Sequence, residues 1–220
     1  MWIERIPAPF ASLYEKAAKL VVGSYYAGVA RDIAGFLKTG LILDLGTGPG
    51  YLPIEIVRIC PSIRVVGIDL SRRLIKMAQA NALKTELHDR VHFEVGNAAR
   101  LRFQDNAYDM VISTGMLHGL KNPVQVLKES YRVLKPGGEA WIYDPAKVTS
   151  QVDMKSWKAS LTLTEELMNV VFALFARLNP PRPYNKAQAA AMIAASPFKE
   201  YELEEDKEEI KIKLKKPRQD

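Results

Sequence analysis

Leu41-Ile42-Leu43-Asp44-Leu45-Gly46-Thr47-Gly48-Pro49-Gly50 decides how this 220-residue chain is read. An apolar run broken by Asp44 ends at Leu45, and glycines follow at 46, 48 and 50. A short run of this kind suits a parallel strand buried on both faces. Glycines directly after it let the backbone turn tightly and bring main-chain N–H groups near a ligand with no Cβ in the way. A dinucleotide-binding turn needs the same shape, but its third glycine falls three positions after the second, where this chain has Tyr51. No Gly-Lys-Ser/Thr follows the turn, so a Walker A loop is excluded.

Outward from this strand the pattern alternates. Short strands fit Arg64 to Ile68, Val91 to Val95, Tyr108 to Ser113 and Glu139 to Tyr143, each separated from the next by a helix or loop. That order predicts an α/β, doubly wound, mostly parallel sheet. Asn122 as N-cap and Pro123 at the first helical position open a helix carrying Val124, Leu127, Tyr131 and Leu134, which Lys135-Pro136-Gly137-Gly138 stops. Asn185 and Gln188 form a capping-box signal for an alanine-rich helix ending near Ala195. Phe198 to Leu203 and Ile210 to Leu214 then alternate apolar with polar residues, which reads as an antiparallel hairpin. Upstream, Phe10 to Leu37 reads as two short helices interrupted near Gly23. The stretch 144–184 is too long for a βα loop and is expected to be a helical insertion, its helix running Leu161 to Leu178, lying over the carboxyl ends of the strands. The chain is thus expected to be one domain: N-terminal helices over 1–40, a ligand-binding core over 41–143, the insertion over 144–184, and the last helix and hairpin over 185–220.

Composition narrows the class. With 48% hydrophobic and 25% charged residues, the chain can build one α/β core. The single cysteine, Cys60, excludes a disulfide framework and suits a reducing, cytoplasmic setting. Glu4 and two prolines interrupt the apolar stretch that a secretion signal would need. The most apolar window, Leu167 to Leu178, falls short of the ~20 residues of a membrane-spanning helix. The net charge of +6 owes much to the run from Ile210 to Arg218, which one solvated strand face accounts for, so a nucleic-acid partner has weak support.

Two further features belong to the same ligand. Asp69 ends the second strand, where an acid accepts from both ribose hydroxyls; the alternative, a helix N-cap, is served at least as well by Ser71. Gly96-Asn97-Ala98 follows the third strand; taken alone it is an ordinary turn, and with the two features before it an amide is expected beside an adenine edge. Taken together with Tyr108-Asp109-Met110-Val111-Ile112, Leu117-His118-Gly119-Leu120 and Leu134-Lys135-Pro136-Gly137-Gly138-Glu139, the chain resembles the class I S-adenosylmethionine-dependent methyltransferases, in particular their small-molecule branch. The resemblance spans roughly residues 41–143 and implies a seven-stranded sheet with a reversed last strand. It also implies that Gly46, Thr47, Gly48 and Gly50 approach the amino-acid part of S-adenosylmethionine, with Asp44 receiving its ammonium and Asp69 its ribose hydroxyls. Leu70 and Ala98 would flank the adenine, and Ser113 or its backbone would lie beneath the methionine part. Asn97 departs from the family's usual aspartate, although an amide oxygen also accepts from an amino group.

Methyl transfer from a sulfonium is an in-line displacement governed by proximity and alignment. Should the acceptor need deprotonation, His118 is the candidate base; packing of the same ring against a helix start is the competing reading. No Asn/Asp-Pro-Pro-Tyr motif stands at Ser113-Thr114-Gly115-Met116, which disfavours amino methylation of adenine or glutamine. Cys60 is expected in the core, far from the reactive face, and no metal site is expected, Asp144 at a strand end being a minority reading. Tyr14, Tyr25 and Tyr26 are available to a cofactor if the N-terminal helices fold over it. The expected activity is methyl transfer to an O, N or C atom of a small-molecule acceptor. Two rivals are transfer to RNA or protein, which would draw on Lys211, Lys213, Lys215, Lys216 and Arg218, and a non-catalytic binding module.

Overall fold

A computed structural model describes residues 25–145, 184–206 and 209–218. The Leu41 run is the strand β1 (Gly40–Leu45), its last four residues buried. It pairs in parallel with β2 (Ile63–Asp69) on one side and β4 (Tyr108–Thr114) on the other, and β3 (Val91–Val95) pairs in parallel with β2. Beyond β4 lies β5 (Leu134–Pro145), again parallel. The chain's last strand, β7 (Glu209–Lys215), runs antiparallel to β5, and β6 (Glu200–Glu205) closes the sheet outside it, for an order β3-β2-β1-β4-β5-β7-β6. The reversed strand therefore sits inside the sheet and β6 forms its edge.

Among the described residues five helices flank it: α1 (Ala27–Phe36), α2 (Tyr51–Ile59), α3 (Arg72–Leu83), α4 (Pro123–Val133) and α5 (Lys186–Ala194). The expected capping residues hold. Asn122 accepts from Gln125 N at 3.2 Å with Pro123 behind it, and Asn185 and Gln188 form the reciprocal box. Ser71, not Asp69, caps α3 through Leu74 N. Because both faces of β1 and β4 are covered, the core divides in two. Ile42, Ile56, Val57, Met110 and Ile112 pack with Ile33 of α1 on one face, and Leu43, Leu45, Val111, Leu127 and Ile193 pack on the other. The first expected N-terminal helix, Tyr14 and the expected insertion helix lie outside the described residues.

Four sequence expectations are corrected. The strand β5 begins at Leu134, immediately after α4, because the Lys135 to Gly138 segment continues as extended chain whose Gly138 O accepts from Lys216 N at 3.0 Å. The hairpin strands run further into the charged segment, to Glu205 and from Glu209. Cys60 is half-buried at the rim of the core, where its thiol reaches Lys38 O at 3.0 Å. Lys216 is not solvated: its buried ammonium donates to Asn106 Oδ1, Tyr131 O and Leu134 O at 2.7–2.9 Å, so three oxygens replace water.

Candidate active site

Parallel pairing delivers the carboxyl ends of β1, β2, β4 and β5 to one edge, and the candidate residues gather there. After β1 the chain turns back on β2: Gly46 N and Thr47 N both donate to Ile68 O at 2.9 Å. The three glycines then do different things. Gly48, with φ of 55°, gives its N–H to Asp69 Oδ2 at 3.2 Å. Gly50, with φ of 79°, starts α2, and a Cβ there would stand 2.6 Å from Phe93 and 2.9 Å from Ala78. The third glycine is thus required by packing of helix on sheet. A Cβ on Gly46 would press on Met116, from the loop after β4.

Asp44 is the most telling side chain of this edge. Only 2% exposed, it leaves Oδ1 without a hydrogen-bond partner, and the nearby Thr47 Oγ1 is equally unpartnered. Burial pushes the carboxyl up to about 7; the Thr47 hydroxyl, close by but not hydrogen-bonded, opposes this and the Asp69 charge adds to it. Asp69 is also raised by burial, against the backbone N–H groups of Ser71 (2.8 Å) and Gly48 that favour its charge. Each Asp69 oxygen has spent one acceptor site on these bonds and retains another. Tyr26, just ahead of α1, lies beside both Asp44 and Thr114; burial and the Asp44 charge push its hydroxyl up to about 12.

The other sequence candidates fit less completely. Asn97 is exposed at the end of β3, but its Oδ1 already accepts from Ala99 N at 2.8 Å. Leu70 is half-buried, while Ala98 is 8% exposed and packs into the core. Ser113 stands opposite Leu45, and its hydroxyl donates to Leu45 O at 3.2 Å and ties β4 to β1. That leaves its backbone, and not its side chain, to meet a ligand.

A second cluster forms where β5 ends. Asp144 is 1% exposed, and its Oδ2 accepts from His118 N at 2.6 Å and from the Tyr184 hydroxyl at 3.0 Å. His118 lies on a short 3₁₀ turn (Leu117–Gly119) after β4, with Nδ1 3.4 Å from Asp144 Oδ1. Burial and the Asp144 charge hold the Tyr184 hydroxyl well above its ordinary range. Tyr25 donates to Glu209 and is raised in the same way, by burial first and then by Glu209. Sequence reasoning missed the grouping around Asp144. A strand-terminal acid was the very signal that marked Asp44 and Asp69, and it marks Asp144 as well. Tyr184 carries no local signal.

The lysines of β7 are engaged elsewhere. Lys211 pairs with Asp32 at 2.8 Å, Lys213 with Glu202 and Glu204 at 3.5 and 3.6 Å, and Lys215 with Glu200 at 3.9 Å. Among the described residues no group of three His, Cys, Asp or Glu could hold a metal ion, and no helix is long and apolar enough to cross a membrane.

Comparison with known proteins bears on the family and the fold. A demethylmenaquinone methyltransferase from Listeria monocytogenes is 35% identical over 135 residues, 61% of this chain and 55% of that protein. An uncharacterized methyltransferase from Schizosaccharomyces pombe is 31% identical over 134 residues, 59% of this chain and 48% of that protein. The chain therefore spans about half the length of the curated relatives it matches. Among solved structures, a candidate S-adenosyl-L-methionine-dependent methyltransferase from Methanococcus maripaludis superposes with a TM-score of 0.76 at 22% identity, covering 96% of this chain and 93% of that one. Phosphoethanolamine N-methyltransferase 2 from Haemonchus contortus, in complex with phosphomonomethylethanolamine and S-adenosylhomocysteine, superposes with a TM-score of 0.69 at 18% identity, covering 89% and 54%. Residues 38–208 match the profile of the methyltransferase domain family, and with the glycine turn, the strand-end acids and the sheet order in place, the chain belongs to that family and has its Rossmann-like fold.

Proposed function

We propose that the chain binds S-adenosylmethionine across the carboxyl ends of β1 and β2 and transfers its methyl group to a small-molecule acceptor beside His118. The observation that carries the reading is the unpartnered, buried Asp44 oxygen next to a glycine turn and a second strand-end acid. A buried carboxylate lacking a partner is costly, and a ligand ammonium would offset that cost. The residues fit the cofactor. Asp44, with Thr47 beside it, would hold the ammonium, Asp69 has acceptor capacity left for ribose hydroxyls, and Asn97 retains an amide for an adenine edge. Bound there, the cofactor supplies a sulfonium methyl open to in-line displacement. The chain's own task is to align an acceptor with it. Met116, Tyr26 and Thr114 border the same end of the sheet and would help to enclose the reacting groups.

The name of the demethylmenaquinone methyltransferase relative supports a small acceptor, and the ion pairs of Lys211, Lys213 and Lys215 weigh against RNA, since phosphates would have to displace carboxylates already in place. The single half-buried Cys60 supports a reducing, cytoplasmic setting. The test is transfer of a labelled methyl group from S-adenosylmethionine to a panel of phenols, quinols, amines and carbon acids, run beside total RNA and unfolded protein. Label in a small molecule supports the proposal; label only in RNA or protein replaces it with that activity. Tight cofactor binding with no label anywhere would leave a binding module.

A further inference from the structure

Asp144 has no role in the cofactor site, yet its side chain is fully buried at the end of β5. Its Oδ2 is saturated by His118 N and the Tyr184 hydroxyl, while Oδ1 has no hydrogen-bond partner. His118 Nδ1 is likewise buried without a partner, and the two atoms lie 3.4 Å apart. Leaving both unpaired is costly, and closing the gap by a few tenths of an ångström satisfies both at once. Since Nδ1 is buried, the 19% of the His118 side chain that stays exposed lies on its other atoms.

Building on the methyl-transfer reading above, we propose that Asp144 is a positioning residue that fixes the neutral His118 ring with its proton on Nδ1, leaving Nε2 as the base for an acceptor whose nucleophilic atom is protonated, a hydroxyl or a carbon acid. The acceptor's proton passes to Nε2 as its electron pair forms the bond to the methyl carbon. The pair of the broken carbon–sulfur bond stays on sulfur, so the leaving group is a neutral thioether. The imidazolium so formed faces Asp144 and later releases its proton to water. Among the described residues the other groups around the pair do not compete for this proton: Tyr184 and Tyr25 are held protonated by burial, and Glu209 is occupied by Tyr25.

The tautomer of His118 tests this without any acceptor. The chain has three histidines, His88, His92 and His118, so ¹⁵N-histidine spectra of the 220-residue chain at pH 8 can be assigned with His118→Gln. The expected result is a protonated Nδ1 and a pyridine-like Nε2 in the native chain. In Asp144→Asn the amide oxygen keeps the bonds from His118 N and Tyr184, its NH₂ faces Nδ1, and the tautomer reverses. A native ring protonated on Nε2 overturns the proposal, whether or not the variant folds, as does an unchanged tautomer in a folded Asp144→Asn. Calorimetry of S-adenosylmethionine on the native sample separates the two readings: absent binding overturns the proposed function while the tautomer still reports on Asp144.

Discussion

Asp44 shows how a single residue's surroundings translate into measurable behaviour. Its carboxyl is raised to about 7 by burial, so between the ordinary value of about 3.9 and 7 the folded chain keeps a proton that the unfolded chain has released. Stability contributed at this position therefore falls as pH rises through that window and is level above it. Asp44→Asn should reduce the slope and raise the melting temperature at pH 8, as thermal unfolding at pH 5, 7 and 8 would show; an unchanged slope would mean that Asp44 is not held protonated. A cofactor ammonium needs the ionised form. Affinity for S-adenosylmethionine in the native protein should accordingly rise with pH by up to about tenfold per unit below 7 and then level off, measured by calorimetry over pH 5.5–8.5. His118→Gln should lower turnover of any labelled acceptor by ~10²-fold or more with little change in cofactor affinity, and a loss within about threefold would assign the ring to packing. At this scale the sequence showed which acids end strands. Burial and partner geometry, which decide that Ser113 spends its hydroxyl on Leu45 O and that Gly50 faces Phe93, require the folded neighbours.

Elements were legible where local chemistry is strong. Asn122-Pro123 and Asn185 with Gln188 mark helix starts through groups only three residues apart, and both starts stand where those residues put them. The start of β5 was misplaced because Lys135 to Gly138 reads as a stop signal, whereas its extended course depends on Lys216 and Pro217, some eighty residues on. The same distance hid the burial of Lys216, whose neighbours Asn106, Tyr131 and Leu134 are all remote in sequence. Replacing Lys216 with Leu leaves two carbonyls and an amide oxygen to find other partners, each such loss costing ~1–3 kcal/mol. Gly50→Ala should cost more than a surface glycine does, because it combines a left-handed backbone penalty of ~1–2 kcal/mol with overpacking of ~1–3 kcal/mol against Phe93 and Ala78. Denaturant titration checks both; a midpoint within error of the native chain would show that α2 is free to shift away from the sheet.

Across the whole molecule, an alternating strand and helix pattern led to the doubly wound sheet, and a change to polar–apolar alternation after Ala195 led to its reversed strand. That β7 enters between β5 and β6 was out of reach, because it rests on pairing of residues 139–145 with 209–215 and of 200–205 with 210–215. The same placement changes the meaning of the net charge of +6, since the acidic edge strand neutralises the lysines beside it. Binding of a labelled single-stranded RNA should therefore be weak at physiological salt, no tighter than the ~10⁻⁴–10⁻⁶ M of non-specific association, by fluorescence anisotropy. Nanomolar affinity with a steep salt dependence would restore nucleic acid as a partner. Cofactor binding is measured by thermal unfolding with S-adenosylmethionine, S-adenosylhomocysteine and NAD, on the native chain and on Asp69→Ala. At about 100 times its dissociation constant a ligand stabilises by ~2.7 kcal/mol, a shift of several degrees for a chain of this size. That shift is expected with both adenosyl ligands, with none for NAD and its loss in Asp69→Ala; a shift with NAD alone, or none with either adenosyl ligand, would rule out S-adenosylmethionine as the cofactor.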